Sequence, residues 1–535
     1  MKNIQGLFLV GTSALALAGC GPSDIASPGT GGDVIINNPP APTPTATPTG
    51  PATVTPAAGC PTIADPTGLD DQGTITTPTG TWRVCRLPNL IRTTSTLPKV
   101  AGLLYEINGR VNVGCDGGFA APTAGAPHTS STVGCTTPLT ADTNVTLTIA
   151  PGAILFGGTG QSWLMVNRGN KINAAGQQNA PIVFTSRDNV FGLNDDTSQG
   201  QWGGVVLAGR GRITDCRFGS VASDTCERDT EGAADPGLYG GRDDAYNAGT
   251  MRYVQIRYSG FNLSPNSELQ GLTTQGIGSG TTLEYIQSHN SSDDAAEFFG
   301  GVVNLRGYVA TGADDDSLDV DTGARMDLQD AILIQRPGRG DGLWEIDSNG
   351  NEADTPRTRL RVANMIAIQQ QTSPDNEASA TASLFMRGNS DTTLLNSIVI
   401  SPQNECIRMN GSGTTPATFT ARSVVMQCGA TKYRGTGSYT AAQVESFFAS
   451  GTNNNNDAFT PTLTALFLNG TNEDGVTAFD LTTLVPASTL FANKSPNRVG
   501  AAWTGNNSWY TGWTCNSGYA NFGTASTACS SLPTT

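Results

Sequence analysis

Apolar positions in the middle of the chain alternate in short runs, separated by acidic and glycine-rich turns. Leu283-Glu284-Tyr285-Ile286 leads to Asp293-Asp294 and then to Glu297-Phe298-Phe299-Gly300. In the next copy Leu305-Arg306-Gly307-Tyr308 leads to Asp315-Asp316, Asp319-Val320-Asp321 and Gly323. In the third, Leu328 is followed by Ile332-Leu333-Ile334, Asp341 and Glu345-Ile346-Asp347. A short, regular period from Leu283 to Leu305 to Leu328, with two β-like runs and Gly, Asn or Asp turns per copy, is the mark of a solenoid. The copy is too short for a helix pair, and its apolar positions follow period 2 rather than 3.6. Each copy predicts one coil of a parallel β-helix. Stacked coils place equivalent residues about 4.8 Å apart, so a repeated acid becomes a column of acids.

The same rhythm extends in both directions. Val145-Thr146-Leu147-Thr148-Ile149 precedes Pro151-Gly152, and Ile154-Leu155-Phe156, Trp163-Leu164-Met165-Val166 and Pro181-Ile182-Val183-Phe184-Thr185 follow. Asn364-Met365-Ile366-Ala367-Ile368 is echoed by Asn396-Ser397-Ile398-Val399-Ile400 and Arg422-Ser423-Val424-Val425-Met426. Turn residues separate all these runs. The pattern predicts an all-β fold, with a β-helix over 100–430 and residues 60–99 as an N-terminal cap region. Thr440-Ala441-Ala442-Gln443 reads as a capping box opening a short helix. A terminal coil exposes unpaired strand edges, so 431–535 is expected to be a small mixed C-terminal cap over the open end.

Composition changes this picture in three ways. Charged residues are only 14% and glycines number 65, which suits a β-rich exported protein with many positive-φ turns. A net charge of −15 argues against binding nucleic acid and favours neutral or cationic partners or metal ions. Met1-Lys2, the apolar stretch Gly6 to Leu17 and Leu17-Ala18-Gly19-Cys20 match a lipoprotein signal peptide over 1–19, with lipidation at Cys20. The mature protein is then held to a membrane by N-terminal acyl chains. Residues 20–59 are a Pro/Thr-rich linker, and Gly21 after the lipidated cysteine resembles the proteobacterial sorting pattern for lipoproteins, which implies the outer membrane.

Setting Cys20 aside leaves Cys60, Cys85, Cys115, Cys135, Cys216, Cys226, Cys406, Cys428, Cys515 and Cys529. An even set in an exported chain implies disulfides, and their spacing suggests pairing between sequence neighbours. With no CxxC and only two histidines, zinc and haem sites are not expected. His289 reads as an ordinary turn residue.

Several segments together resemble a known group. They are Leu147-Thr148-Ile149-Ala150-Pro151-Gly152, Pro181 to Ser186, Gln201-Trp202-Gly203-Gly204-Val205-Val206-Leu207, Tyr239-Gly240-Gly241-Arg242-Asp243-Asp244, Asp293 to Gly301 and Trp509 to Thr514. The chain resembles exported bacterial right-handed β-helix lipoproteins with a pectin-lyase-like architecture. The resemblance implies a cell-envelope location and a TonB-dependent outer-membrane receptor as a partner. It carries no catalytic residue over to this chain.

Candidate chemistry lies in the acidic copies. Aligning them with Phe385-Met386-Arg387 and Cys406-Ile407-Arg408 gives one apolar, inward column: Phe298, Val320, Ile346, Met386 and Ile407. The outward columns are Glu297, Asp319, Glu345, Phe385, Cys406 and Phe299, Asp321, Asp347, Arg387, Arg408. One face thus carries Glu297, Asp319, Asp321, Glu345 and Asp347, bordered by two arginines. Like charges at this spacing repel by about 1 kcal/mol in water and by more in a sheltered groove. Oxygen ligands at this density suit Ca²⁺. The competing reading is a solvated face, with the acids of Asp293–Asp294 and Asp314–Asp316 capping turns. Arg387 and Arg408 are candidate ligand-binding residues or partners of Asp347, and Trp344 is a candidate sugar-stacking platform or a packing residue.

Two functions follow. One is a calcium-stabilised binding lipoprotein that captures a glycan or other ligand, as accessory to an outer-membrane receptor. The other is a calcium-dependent polysaccharide lyase or glycoside hydrolase. A catalytic groove makes one acid distinct from its neighbours. These acids look alike, and no GxSxG elbow is present, so binding is the favoured reading.

Overall fold

The computed structural model describes residues 54–534, except 232–236, 265–266, 349–350, 352, 374–381, 485–489, 492–496 and 507. The signal segment, Cys20 and the linker up to residue 53 therefore lie outside the described residues. An antiparallel hairpin, Asp70–Thr77 against Gly80–Arg86, opens the body. From Gly80–Arg86 onward each strand of the two large sheets lies parallel on the next. Coil stacking thus starts near residue 80, ahead of the predicted boundary at 100. It ends on Thr418–Cys428 and Tyr433–Gly437.

Each coil has three strand segments rather than the two runs legible in the repeat. In the early coils two of these are separate strands, Thr146–Ile149 and Ile154–Gly157. From Gly249–Arg257 onward they merge into one long strand bent at a single residue. The bend residues Tyr253, Tyr285, Gly307, Asp330, Asn364, Asn396 and Ser423 all have φ between 48° and 73°. Strand pairing skips this column in every coil. Left-handed backbone favours Gly, Asn and Asp, which accounts for four of the seven. At Gly307 a Cβ would meet the Tyr285 ring at 2.5 Å, so this corner admits only glycine.

The interior is one apolar core in which Phe298, Val320, Ile346 and Met386 are fully buried. One register differs from the sequence alignment. Leu384 pairs Ile407, Phe385 pairs Arg408 and Met386 pairs Met409. The inward column therefore continues to Met409, and Arg408 stands beside Phe385 instead of Arg387. The shift is by two residues, so Ile407 stays inward and Arg408 outward, but Cys406, expected in the outward column, departs from the alternation. Cys406 points inward, within the core and bonded to Cys428.

The C-terminal region does more than cover an end. Helix Ala441–Phe448, with the capping box of Thr440 and Gln443, buries Val444 and Phe448 on the last coil. The chain then doubles back along the outer face of the long sheet. Phe467, Val499, Ala501, Trp513 and Phe522 cover Ile332, Ile366, Ile398 and Val425, and Leu532 reaches Trp82 and Leu104 of the first coils. The corner amides hold this strap. Asn364 donates to the carbonyls of Arg498 and Gly500 at 3.0 and 3.2 Å. Asn396 donates to the Phe479 carbonyl and accepts from its N–H, at 2.9 and 2.6 Å.

Five disulfides join sequence neighbours: Cys60–Cys85, Cys115–Cys135, Cys216–Cys226, Cys406–Cys428 and Cys515–Cys529.

Candidate functional site: an acidic groove on the short sheet

The acids stand on the outer face of the second sheet because their strands alternate about Phe298, Val320 and Ile346. Glu297 lies beside Asp319, and Asp319 beside Glu345. Phe299 lies beside Asp321 in the adjacent column. This face is not open to water on all sides. An excursion between Val205–Ala208 and Gly249–Arg257, tied by Cys216–Cys226, lays Ile213 and Tyr239 over Met165, Val206 and Phe299. Glu297 is buried, while Asp319, Asp321, Glu345 and Asp347 are partly buried.

Within the groove the acids have different partners. Glu345 and Asp347 both pair with Arg387, whose Nε lies 3.1 Å from Asp347. The Asp321 and Asp347 carboxylates also accept the N–H of the following residue, Thr322 and Ser348. Asp294 and Asp316 cap turns as one reading expected, but across coils. Asp294 accepts the Asp316 N–H at 2.9 Å, and Asp316 accepts the Gly342 N–H at 2.8 Å. Asp294, Glu297 and Asp319 each offer a carboxylate oxygen, all within 4.8 Å of one another, as do Asp293, Asp294 and Asp315. Among the described residues no Arg or Lys pairs with Asp294, Glu297 or Asp319. Asp319 Oδ1 is buried with no hydrogen-bond partner.

Crowding has electrostatic consequences. Burial holds Asp294, Glu297 and Asp319 well above the usual carboxylate range, and neighbouring carboxylates (Asp293, Asp319 and Asp321 respectively) push them further. Asp321 is pushed up to about 7 by burial and Asp347. Glu345 is pushed up to about 8 by burial, against the lowering influence of Arg387. Such a group of buried oxygens either keeps protons or takes up a cation. The donors are all hard carboxylate oxygens, which fits Ca²⁺.

The remaining sequence candidates fall elsewhere. Trp344 is fully buried in the core and paired with Leu384, so it offers no ring to a ligand; its position in the alternation, next to outward Glu345, already points it inward. Arg408 is only 2% exposed and pairs with Glu405, with its guanidinium over the Phe385 ring. Arg387 is one-third exposed and lies in the groove. Sequence reading left Asp294 open between a turn cap and a ligand, and missed the Ile213–Tyr239 wall. The repeated Asp-Asp pair was the available signal for Asp294. Nothing local in the sequence marks the wall.

No curated protein and no solved structure matches the chain. The pectate-lyase-like beta helix domain matches residues 128–514. That stretch spans most of the coils and the strap, and it agrees with the parallel sheets and inward apolar columns described above. The chain therefore belongs to the pectate-lyase-like, right-handed β-helix family, a membership that supports a carbohydrate-related role and nothing narrower.

Proposed function

We propose that this protein is an envelope lipoprotein, anchored through Cys20 to the outer membrane, whose acidic groove holds Ca²⁺ and captures a glycan for an outer-membrane receptor. The observation that carries the cation is the trio Asp294, Glu297 and Asp319. Their oxygens converge within 4.8 Å, and Asp319 Oδ1 is buried and unpartnered. Of the five acids first singled out for the metal, Glu297 and Asp319 belong to this trio. Asp321, Glu345 and Asp347 form the next stretch of groove, where Arg387 offsets part of their charge.

Catalysis is the second reading, and one observation favours it. The acids are no longer alike, because Glu345 is pushed up to about 8 beside an arginine, while Asp294, Glu297 and Asp319 have none among the described residues. A carboxyl held protonated near neutral pH suits a general acid. The lyase version is weaker. Arg387 would have to accept a proton, and a guanidinium paired with two carboxylates is a poor base.

Ca²⁺ binding to the folded state alone must raise stability. Melting curves of the mature protein should rise with Ca²⁺ and fall with chelator. Asp294→Asn with Asp319→Asn should remove that dependence while keeping side-chain size. A wild type indifferent to chelator sinks the cation reading. For the anchor, Cys20→Ala should shift the protein from the membrane fraction to the soluble one, and unchanged membrane association would rule lipidation out.

A further inference from the structure

The first strand of the long sheet has an open edge. Asp70–Thr77 stands at the end of the sheet order and pairs only with Gly80–Arg86. Thr81 and Arg83 give their N–H groups to the carbonyls of Val54 and Gly102, at 3.0 and 2.8 Å, on the side away from this strand. In an antiparallel pair, residues directly opposite each other either exchange both hydrogen bonds or turn both away. Thr76, opposite Thr81, and Thr74, opposite Arg83, therefore turn their N–H and C=O groups outward. Both residues are exposed, and among the described residues nothing bonds to these four groups.

Sheets usually blunt such an edge with bulges, prolines and charges. Here those devices sit only at the ends of the strand. The register breaks between Asp71 and Thr74, where Gly73 has φ 78°, and Pro78 closes the other end. Between them Thr74-Ile75-Thr76 is uncharged and unblocked. Ile75 lies beside Trp82 and packs on the outer apolar cluster of Trp82 and Val84.

This window reads the same in both directions, so it is complementary to itself. A two-fold axis through Ile75 sets Thr74 opposite Thr76 of a second copy, and Thr76 opposite its Thr74. Each outward N–H then meets an outward C=O, and Ile75 meets Ile75 at the non-hydrogen-bonded position, where side chains come closest. The apolar row of Trp82 and Ile75 continues into the second copy. Acids do not collide in this register. Asp70 and Asp71 fall opposite Gly80 and Thr79 of the second copy, and Asp71 is already held by Arg83 at 2.9 Å. Pro78 faces the second copy's bulge at Gln72-Gly73, where a Cβ on Gly73 would meet nothing within 4 Å. Leu193, 70% exposed, lies at this rim, because it follows Gly192, whose Cβ would meet Pro78 at 2.5 Å. We infer that two copies of this chain join through the Thr74–Thr76 edge, about a two-fold axis, into one continuous sheet.

So short a ladder makes a small joint of the weak, reversible class. Sedimentation equilibrium of the mature chain without acyl groups tests it in about 0.15 M salt, where long-range repulsion between copies is largely screened. A monomer–dimer equilibrium with a Kd of about 10–100 µM is expected. Thr74→Lys with Thr76→Lys sets lysine opposite lysine at two exposed positions and should weaken the dimer by about tenfold or more. Thr74→Lys with Thr76→Glu sets lysine opposite glutamate in the same register and should keep it. Thr76→Pro removes an outward N–H and no bond within the chain, so it should abolish the dimer with little change in melting temperature. Amide exchange at Thr74 and Thr76 should slow as protein concentration rises. A wild type still monomeric at about 500 µM would overturn the inference. So would a dimer that survives Thr76→Pro or the double lysine change, a lysine–glutamate variant no more associated than the double-lysine one, or exchange at Thr74 and Thr76 that ignores concentration.

Discussion

The same coils present two outer faces with opposite fates. On the long sheet the outward columns are apolar (Ile332, Ile366, Ile398) and the C-terminal strap buries them completely. On the short sheet the outward columns are acidic (Glu297, Asp319, Glu345), and the Ile213–Tyr239 excursion shelters them without satisfying Asp319. Stacking at strand spacing amplifies whatever a position carries. A column of isoleucine becomes a sticky stripe that needs a cover, and a column of carboxylates becomes a field that needs protons, arginine or a cation. The first face is structural because its need is met within the chain. The second is the functional candidate because part of its need is not.

The severest test of this contrast is to remove the cover. A chain ending at residue 458 would expose the Ile332–Ile366–Ile398 stripe, at about 1.5–3 kcal/mol for each large apolar side chain returned to water. Size-exclusion chromatography should find aggregate instead of monomer. A soluble truncated monomer that melts cooperatively would mean that the strap is dispensable.

A second test concerns the acids. Asp321 and Glu345 sit at about 7 and about 8 in the folded protein, above their ordinary values of 3.8 and 4.5. The unfolded chain therefore releases these protons first as pH rises. Stability should fall from about pH 4 through pH 8, and the loss should be complete above the folded values. In chelator, the melting temperature at pH 8.5 should lie several degrees below that at pH 5, and Asp321→Asn should flatten the slope. A flat profile for the wild type would show that the groove is not crowded as described.

The smallest effect sharpens how the strap is held. Asn396→Ala removes two hydrogen bonds to Phe479 and puts a Cβ-bearing residue without a local hydrogen bond at φ 48°. The expected cost is about 1–3 kcal/mol, read from denaturant unfolding, with no change in calcium response. Asn396→Gly should recover part of the loss by relieving the backbone, and an Ala variant as stable as wild type would remove the corner amides from the account.

The sequence by itself determined the coil. Period 2 within each copy of the repeat sets which side chains face inward. That alternation survives any even register shift, which is why Phe298, Val320, Ile346 and Met386 were legible and the shift from Ile407 to Met409 was not. Pairing of cysteine neighbours was legible for the same reason, because it is local. Trp344 could have been placed by the same alternation that exposes Glu345. What only the tertiary structure decided was contact between segments far apart in the chain. The strap lies on coils that precede it by most of the chain, the Tyr239 wall comes from an excursion with no repeat, and Tyr519 near the C-terminus meets His289 in the middle of the β-helix. Local periodicity carries no information about such meetings. They depend on which exposed column most needs covering and on which segment can reach it, and both are settled only once the coils have stacked.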